Sequence, residues 1–161
     1  TGLTHGKNLL IRTSKAKFIA AMDSDDVCIS NRFKMQLEFL KNNPQVDVLG
    51  GLALKFERNG QINNLISKIK DKKYINKFLI SKPISHKEIV KNLWRNPIIH
   101  PTVCMRRSKL ISSGLYNPKY RTSQDYELWP RLYLSCGHKR NHRNYQKITT
   151  RTITRYKYAK E

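Results

Sequence analysis

The chain has 161 residues, with 32 Lys and Arg against 11 Asp and Glu, a formal net charge of +21, and 39% hydrophobic residues. That length fits one domain with a real core, and with 7 Gly and 6 Pro the composition is neither collagen-like nor that of a disordered chain. The longest uninterrupted apolar run, Phe18 to Met22, is far short of the roughly 20 residues a bilayer span needs, so no membrane-crossing segment is read.

Thr4 can cap a short helix carrying Leu9, Leu10 and Ile11 that ends near Ser14. Phe18 to Met22 follows as a strand, and its unbroken apolar character predicts a central strand covered on both faces. Directly after it stand Asp23, Asp25 and Asp26, at the carboxyl end of the strand, where open α/β sheets bind ligands. Clustered carboxylates repel one another unless a cation or hydrogen bonds compensate. Two of them at i and i+2 in a turn can share Mg²⁺ or Mn²⁺, which in turn holds substrate phosphates, although turn chemistry alone also produces Asp-x-Asp.

A helix over residues 31–42 is predicted by Phe33, Leu37 and Leu40 at helical spacing, with Pro44 beyond its end. Gln45 to Phe56 reads as extended, and Asn59-Gly60 as a turn that could close a hairpin. Residues 61–84 have weak periodicity and are read as a variable linker or irregular insertion. Ser85 and Glu88 form a capping-box pattern ahead of a helix to about Arg95. Ile98 to Met105 reads as a strand interrupted by Pro101, and Arg106 to Ser113 as a helix stopped by Gly114. Ser123 can cap a helix from Gln124, which Pro130 should kink or end early. From His138 onward there is no sustained apolar period, so 138–161 is expected to be an exposed, poorly ordered basic tail.

Cys28, Cys104 and Cys136 match neither a zinc site nor a disulfide framework and are read as reduced, buried thiols, in keeping with a cytoplasmic setting. The basic excess is concentrated in residues 52–95 and 138–161. It would attract phosphate-bearing partners such as nucleotides, anionic lipid or nucleic acid. No recognised nucleic-acid-binding motif appears, so nucleic acid is not the expected partner.

Two blocks of residues carry a resemblance. Gly2-Leu3, Asn8, the run Ala16 to Asp26, Asn31-Arg32-Phe33, Gln36, Asn43-Pro44 and Val48 to Gly51 form the first. Asn96 to Val103, Arg106, Gly114-Leu115-Tyr116, Tyr120-Arg121 and Gln124 to Leu132 form the second. Together they resemble bacterial family-two glycosyltransferases. The resemblance implies an α/β GT-A open sheet over residues 1–137, with 55–95 as an insertion. It also implies sugar transfer with inversion from a nucleotide-diphosphate donor to a glycan or lipid-linked acceptor, in surface polysaccharide synthesis.

By the same resemblance Asp125 is the catalytic base, and Asp25 with Asp23 holds the metal, Mn²⁺ or Mg²⁺. Gly2, Leu3, Asn8, Asp23 and Asp25 bind the donor. His100, Trp129 and Arg121 are acceptor-side candidates. The bland alternatives are a first-turn acid stabilised by the helix dipole for Asp125, a core histidine for His100, helix-face packing for Trp129 and a solvated arginine for Arg121.

The family pattern starts before Gly2, with a strand and an aspartate-bearing loop to which nothing here corresponds. The expectation is therefore a fragment lacking the N-terminal nucleotide-binding strands, with weakened donor affinity and little or no transfer on its own. The basic surface suggests peripheral contact with an anionic membrane at its cytoplasmic face. The competing readings are an inactive degenerate fragment and a basic nucleic-acid-binding domain.

Overall fold

In the computed structural model, which describes residues 2–56, 73, 77, 79–80, 82–83, 85–135 and 147–158, the chain opens on helix α1 (Leu3–Thr13). Gly2, not Thr4, stands at its N-cap; its φ of 132° is one that side-chain-bearing residues rarely adopt. Thr4 is buried in the first turn beside Ile11, while Leu9 and Leu10 face outward. There follow β1 (Phe18–Ala20), β2 (Val27–Cys28), α2 (Arg32–Asn42), β3 (Val46–Phe56) and β4 (Leu79–Ile80). The second half contains α3 (His86–Lys91), 3₁₀ turns at Leu93–Arg95 and His100–Thr102, β5 (Cys104–Arg106), α4 (Arg107–Ser112), α5 (Gln124–Ser135) and β6 (Lys147–Tyr158).

The strands form one sheet in the order β1-β5-β3-β6-β2, with β4 also on β3. β6 runs parallel along one edge of β3, while β5 and β4 pair antiparallel with Val48–Leu49 and Ala53–Leu54. Between those two pairings, Gly51 is served by a side chain. The Thr102 hydroxyl accepts from Gly51 N–H at 2.8 Å and lies 3.0 Å from Gly51 O and 2.6 Å from Ile99 O. One threonine thus satisfies the backbone of Gly51 on the edge of β3 between the β5 and β4 pairings, where no strand among the described residues pairs.

Side-chain alternation on β3 and β5 divides the core. Val48 and Met105 join Ile11, Val103, Leu110, Leu128, Trp129 and Leu132 on the face covered by α1, α4 and α5. Leu49 and Cys104 join Leu40 and Val46 on the face covered by α2. Burial pushes the Cys104 thiol up to about 11, so it stays protonated as expected. Cys28 is partly buried, and Cys136 lies outside the described residues.

Several expectations need correction. β1 is not a central strand: it pairs with β5 alone among the described residues, and its side chains are partly buried or, at Ala20, exposed. The run is apolar because Phe18 and Ile19 pack on opposite sides of the sheet at its margin. α2 lies where predicted but buries Arg32, Gln36 and Leu40, leaving Phe33 43% exposed. Its orientation follows hydrogen bonds to the chain beneath it, described below.

Ser85 and Glu88 form the expected capping box, and α3 gives way to a 3₁₀ turn ending at Arg95. His100–Thr102 is a turn rather than part of a strand. α5 continues through Pro130 to Ser135, because burial of Leu128, Trp129 and Leu132 against the sheet outweighs one missing N–H. The basic segment read as a poorly ordered tail contains β6, paired with both β3 and β2. The proposed turn at Asn59-Gly60 and most of the 61–84 stretch lie outside the described residues.

Candidate active site

β1 delivers the chain to the acidic loop. Ala21 N–H still bonds Val103 O at 2.9 Å, and Asp26 N–H bonds Asp23 O at 3.2 Å, closing a tight turn. Turn closure brings Asp23, Asp25 and Asp26 together, with one carboxylate oxygen from each within 4.8 Å of the others. Oxygens around one hard divalent ion, each about 2.0–2.6 Å from it, have separations of this order. Asp25 is exposed, Asp23 partly buried and Asp26 buried. The donor set therefore fits Mg²⁺ or Mn²⁺.

Below this loop, Arg32 is fully buried. Its Nη2 donates to Ala21 O at 2.8 Å and Val103 O at 3.4 Å, and its Nε to Gln36 Oε1 at 3.1 Å. Gln36 Nε2 donates onward to Thr102 O at 2.8 Å. A polar seam thus ties α2 to β1, β5 and the turn that supports β3. Burial lowers the guanidinium's pKa from its ordinary value, with the nearby Cys28 acting in the opposite sense.

On the other side, α5 presents Asp125 in its first turn. Asn96 Nδ2 donates to Asp125 Oδ2 at 2.9 Å, and Trp129 Nε1 donates to Asn96 Oδ1 at 2.8 Å. Tyr126, 37% exposed, donates its hydroxyl to Trp94 O, and the Trp94 ring is 63% exposed beneath the Arg95 guanidinium. An open aromatic surface therefore borders the Asp125 carboxylate.

His100 opens the 3₁₀ turn ahead of β5. Its Nε2 shares a 2.7 Å hydrogen bond with the Tyr116 hydroxyl, and its ring meets Tyr116 edge-on at 5.6 Å. Burial foremost, then the Lys7 ammonium, lowers the imidazole to about 4, while Asp125 and Asp23 pull in the opposite direction. Three segments distant in sequence, at 7, 23 and 125, thus act on one side chain. Tyr116 is likewise held protonated well above the ordinary tyrosine value, by burial and then by Asp125.

A stability prediction follows from His100. Unfolded, the imidazole takes a proton near 6.5; folded, it resists until about 4. Its contribution is complete above 6.5 and is lost as pH falls through that window, since the unfolded state then binds more protons. Urea unfolding at pH 7 and pH 4.5 should show a drop in stability that is clearly smaller in His100→Gln; equal drops would refute it.

The other candidates are placed as follows. Gly2 and Leu3 are exposed at the start of α1. Asn8 forms a two-way bond with the Tyr116 backbone, Nδ2 to O at 2.7 Å and Oδ1 from N–H at 3.0 Å, so its amide joins α1 to the 115–116 turn. Arg121 is exposed, with its carbonyl accepting from Gln124 Nε2 at 3.2 Å. Trp129 is 0% exposed and packed in the core, so its reading as an acceptor-side residue is corrected in favour of the alternative, helix-face packing. Sequence reasoning assigned no role to Asn96, Tyr116, Arg32 or Gln36. An Asn ahead of Pro97 was the available signal for the first of these, because Asn tolerates the left-handed conformation Asn96 adopts, at φ 48° and ψ 71°.

The glycosyl transferase family 2 model matches residues 1–115. An amylovoran biosynthesis glycosyltransferase, AmsE, of Erwinia amylovora is 28% identical over 138 residues, covering 85% of this chain and 46% of that one. An Escherichia coli UDP-Gal:alpha-D-GlcNAc-diphosphoundecaprenol beta-1,3-galactosyltransferase is 28% identical over 128 residues, covering 80% of this chain and 42% of that one. The crystal structure of S. aureus TarS 1-349 superposes with a TM-score of 0.60 at 15% identity, over 98% of this chain and 40% of that one. This chain therefore spans less than half of each. The structural likeness shows the fold: the described strands are part of a GT-A open sheet, as the sequence implied.

Proposed function

Because this chain belongs to glycosyl transferase family 2, we propose that it carries the acceptor side and the phosphate-binding loop of an enzyme that transfers a sugar from a nucleotide-diphosphate donor. The acceptor is a glycan or lipid-linked saccharide of a surface polysaccharide, in line with the names of its relatives. Among the described residues no helix is long and apolar enough to cross a membrane. A lipid-linked acceptor, together with the basic surface, favours work at the cytoplasmic face of the membrane through peripheral contact.

The observation that supports this reading is the acidic loop after β1, where one carboxylate oxygen from each of Asp23, Asp25 and Asp26 lies within 4.8 Å of the others. In the reaction we propose, Asp125 takes the acceptor hydroxyl proton as that oxygen bonds to the anomeric carbon. The bond from that carbon to the diphosphate breaks on the opposite face, and its electron pair leaves with the nucleotide; the configuration inverts. Asp23 and Asp25, with Asp26 behind them, would hold Mg²⁺ or Mn²⁺, which when bound supplies positive charge for the departing diphosphate. His100, half-buried, and Tyr116, buried, are both neutral at pH 7 and so add no competing charge.

The test uses Mn²⁺ and UDP-galactose as probes. Retention of the nucleotide sugar by the chain should require the ion and fall about 10–100-fold in Asp25→Ala, at least the loss that follows from removing a metal site's outer partner. Retention indifferent to the ion, or unchanged by the substitution, would remove the donor role of the loop.

A further inference from the structure

We infer that Asn96 is a positioning residue that aims the Asp125 carboxylate, and that the Trp129 indole in turn fixes which way round the Asn96 amide stands. The inference rests on Asp125 acting as the base, and its test below is readable without any sugar.

The argument starts from hydrogen-bond capability. An amide has one accepting and one donating end, and an ionised carboxylate can only accept. An indole N–H can only donate, so the 2.8 Å bond from Trp129 Nε1 requires the oxygen of Asn96 to face it. The Asn96 NH₂ group is thereby turned toward Asp125 Oδ2, at 2.9 Å. The orientation of the amide follows from its partners rather than from an arbitrary assignment.

Asp125 and Trp129 are four residues apart on α5 and so share a face, which places the two ends of this relay on one rigid element. Trp129 is 0% exposed, so the indole has no water with which to exchange its bond. The bridging residue is fixed as well. Asn96 holds φ 48° and ψ 71°, its carbonyl accepts from Lys82 Nζ at 2.7 Å, and the Trp94 carbonyl two residues earlier accepts from Tyr126. With Oδ2 tied to Asn96, Oδ1 is the oxygen that takes the acceptor proton. A carboxylate free to rotate would present that oxygen only part of the time, and orientation of this kind carries much of a catalytic advantage.

The left-handed backbone at Asn96 allows a clean test, because Gly and Asp also tolerate it. Asn96→Gly keeps the backbone and deletes the amide. Asn96→Asp keeps the shape and the acceptor for Trp129 but sets a second carboxylate against Asp125. In ¹⁵N-labelled chain, with Trp94→Phe assigning the second indole, the Trp129 indole resonance should shift on acidification as Asp125 gains its proton. Asp125 also shares its surroundings with His100 and Tyr116, and through His100 with Lys7 and Asp23. A response that survives Asp125→Asn comes from another group, such as His100, whose ring centre lies 6.0 Å from that of Trp129, or Glu127 on the same helix.

The expected result is a component of the shift that disappears in Asp125→Asn and equally in Asn96→Gly, with both variants folded by the same spectrum. Loss of transfer in Asn96→Gly should then appear in kcat, with donor KM unchanged, and Asn96→Asp should be the poorer enzyme of the two despite its closer shape. An indole that ignores Asp125 in the parent chain, or follows it still in Asn96→Gly, overturns the inference. If the relay is found but Asp125→Asn leaves transfer intact, the inferred geometry stands and the base assignment fails; the two failures are thus distinct.

Discussion

Asp125→Asn should lower sugar transfer by about 10²–10⁴-fold, the range over which a positioned general base acts. The substitution is nearly isosteric, and Asn96 Nδ2 can donate to the new amide oxygen as it does to Oδ2 at 2.9 Å. Stability should therefore stay within about 0.5 kcal/mol of the parent, as for a change away from core packing. What is lost is the capacity to receive a proton, since an amide oxygen is a far weaker base than a carboxylate. Because the donor loop lies on a different segment, Mn²⁺-dependent retention of UDP-galactose should be unchanged. The measurement pairs initial rates of transfer with that retention assay, and a fall in both together would identify a folding defect rather than a missing base. Measurable transfer that is equal in parent and variant would return Asp125 to an ordinary first-turn acid, the role the helix dipole alone would explain.

What could be read in the sequence was local. The α2 span, the Ser85–Glu88 capping box ahead of α3, α4 ending before Gly114 and the long β3 all follow from patterns a few residues wide. Failures came where a partner distant in sequence decides. Phe33 and Leu37 promised an apolar face for α2, yet Arg32 and Gln36 turn inward because Ala21, Thr102 and Val103 offer buried carbonyls. Trp129 was an acceptor-side candidate, but four positions beyond Asp125 on a helix packed on the sheet its indole lies in the core, where Asn96 meets it. No local pattern announces the pairing of β6 with β3, which depends on an edge formed a hundred residues earlier.

Charge shows the same division. A strongly basic chain suggests a surface awaiting anions, and some of its guanidinium groups are instead internal. Arg106 donates to Leu40 O, Asn43 O and Val46 O, closing the end of α2. Arg107 does the same for Ile11 O and Arg12 O at the end of α1, and Arg131 for Ser113 O and Leu115 O after α4. Helix C-termini carry unpaired carbonyls and partial negative charge, so a forked donor is well matched to them. Arginines in this role add to the formal charge without offering it to a partner. For recognition of phosphate or an anionic membrane, the relevant groups are the lysines and arginines that remain exposed.

Arg32→Met should destabilise the chain by about 3–4 kcal/mol while nearly preserving side-chain volume. The guanidinium satisfies Ala21 O, Gln36 Oε1 and Val103 O in a fully buried position. Removing it takes that donor from Ala21 O and Gln36 Oε1, at roughly 1–3 kcal/mol each, while Val103 O keeps the bond from Ala21 N–H; the loss is partly offset by no longer burying a charge. Arg32→Lys should recover little, since an ammonium lacks the planar fork that reaches three acceptors on separate elements. The consequence extends to the site, because the carbonyl held at 2.8 Å belongs to Ala21, two residues ahead of Asp23. Freed from α2, the turn that gathers Asp23, Asp25 and Asp26 is held through Ala21 only by the N–H bond to Val103 O, so Mn²⁺-dependent retention should weaken even where the variant remains folded. Urea unfolding measures the first effect, and retention of UDP-galactose below the unfolding transition measures the second. If Met proved neutral in both, the arginine would be filling space rather than tying the acidic loop to the sheet. The link from α2 through β1 to the donor side would then have to be carried by Gln36 and Thr102, whose own bond, from Nε2 to the carbonyl at 2.8 Å, does not touch the loop.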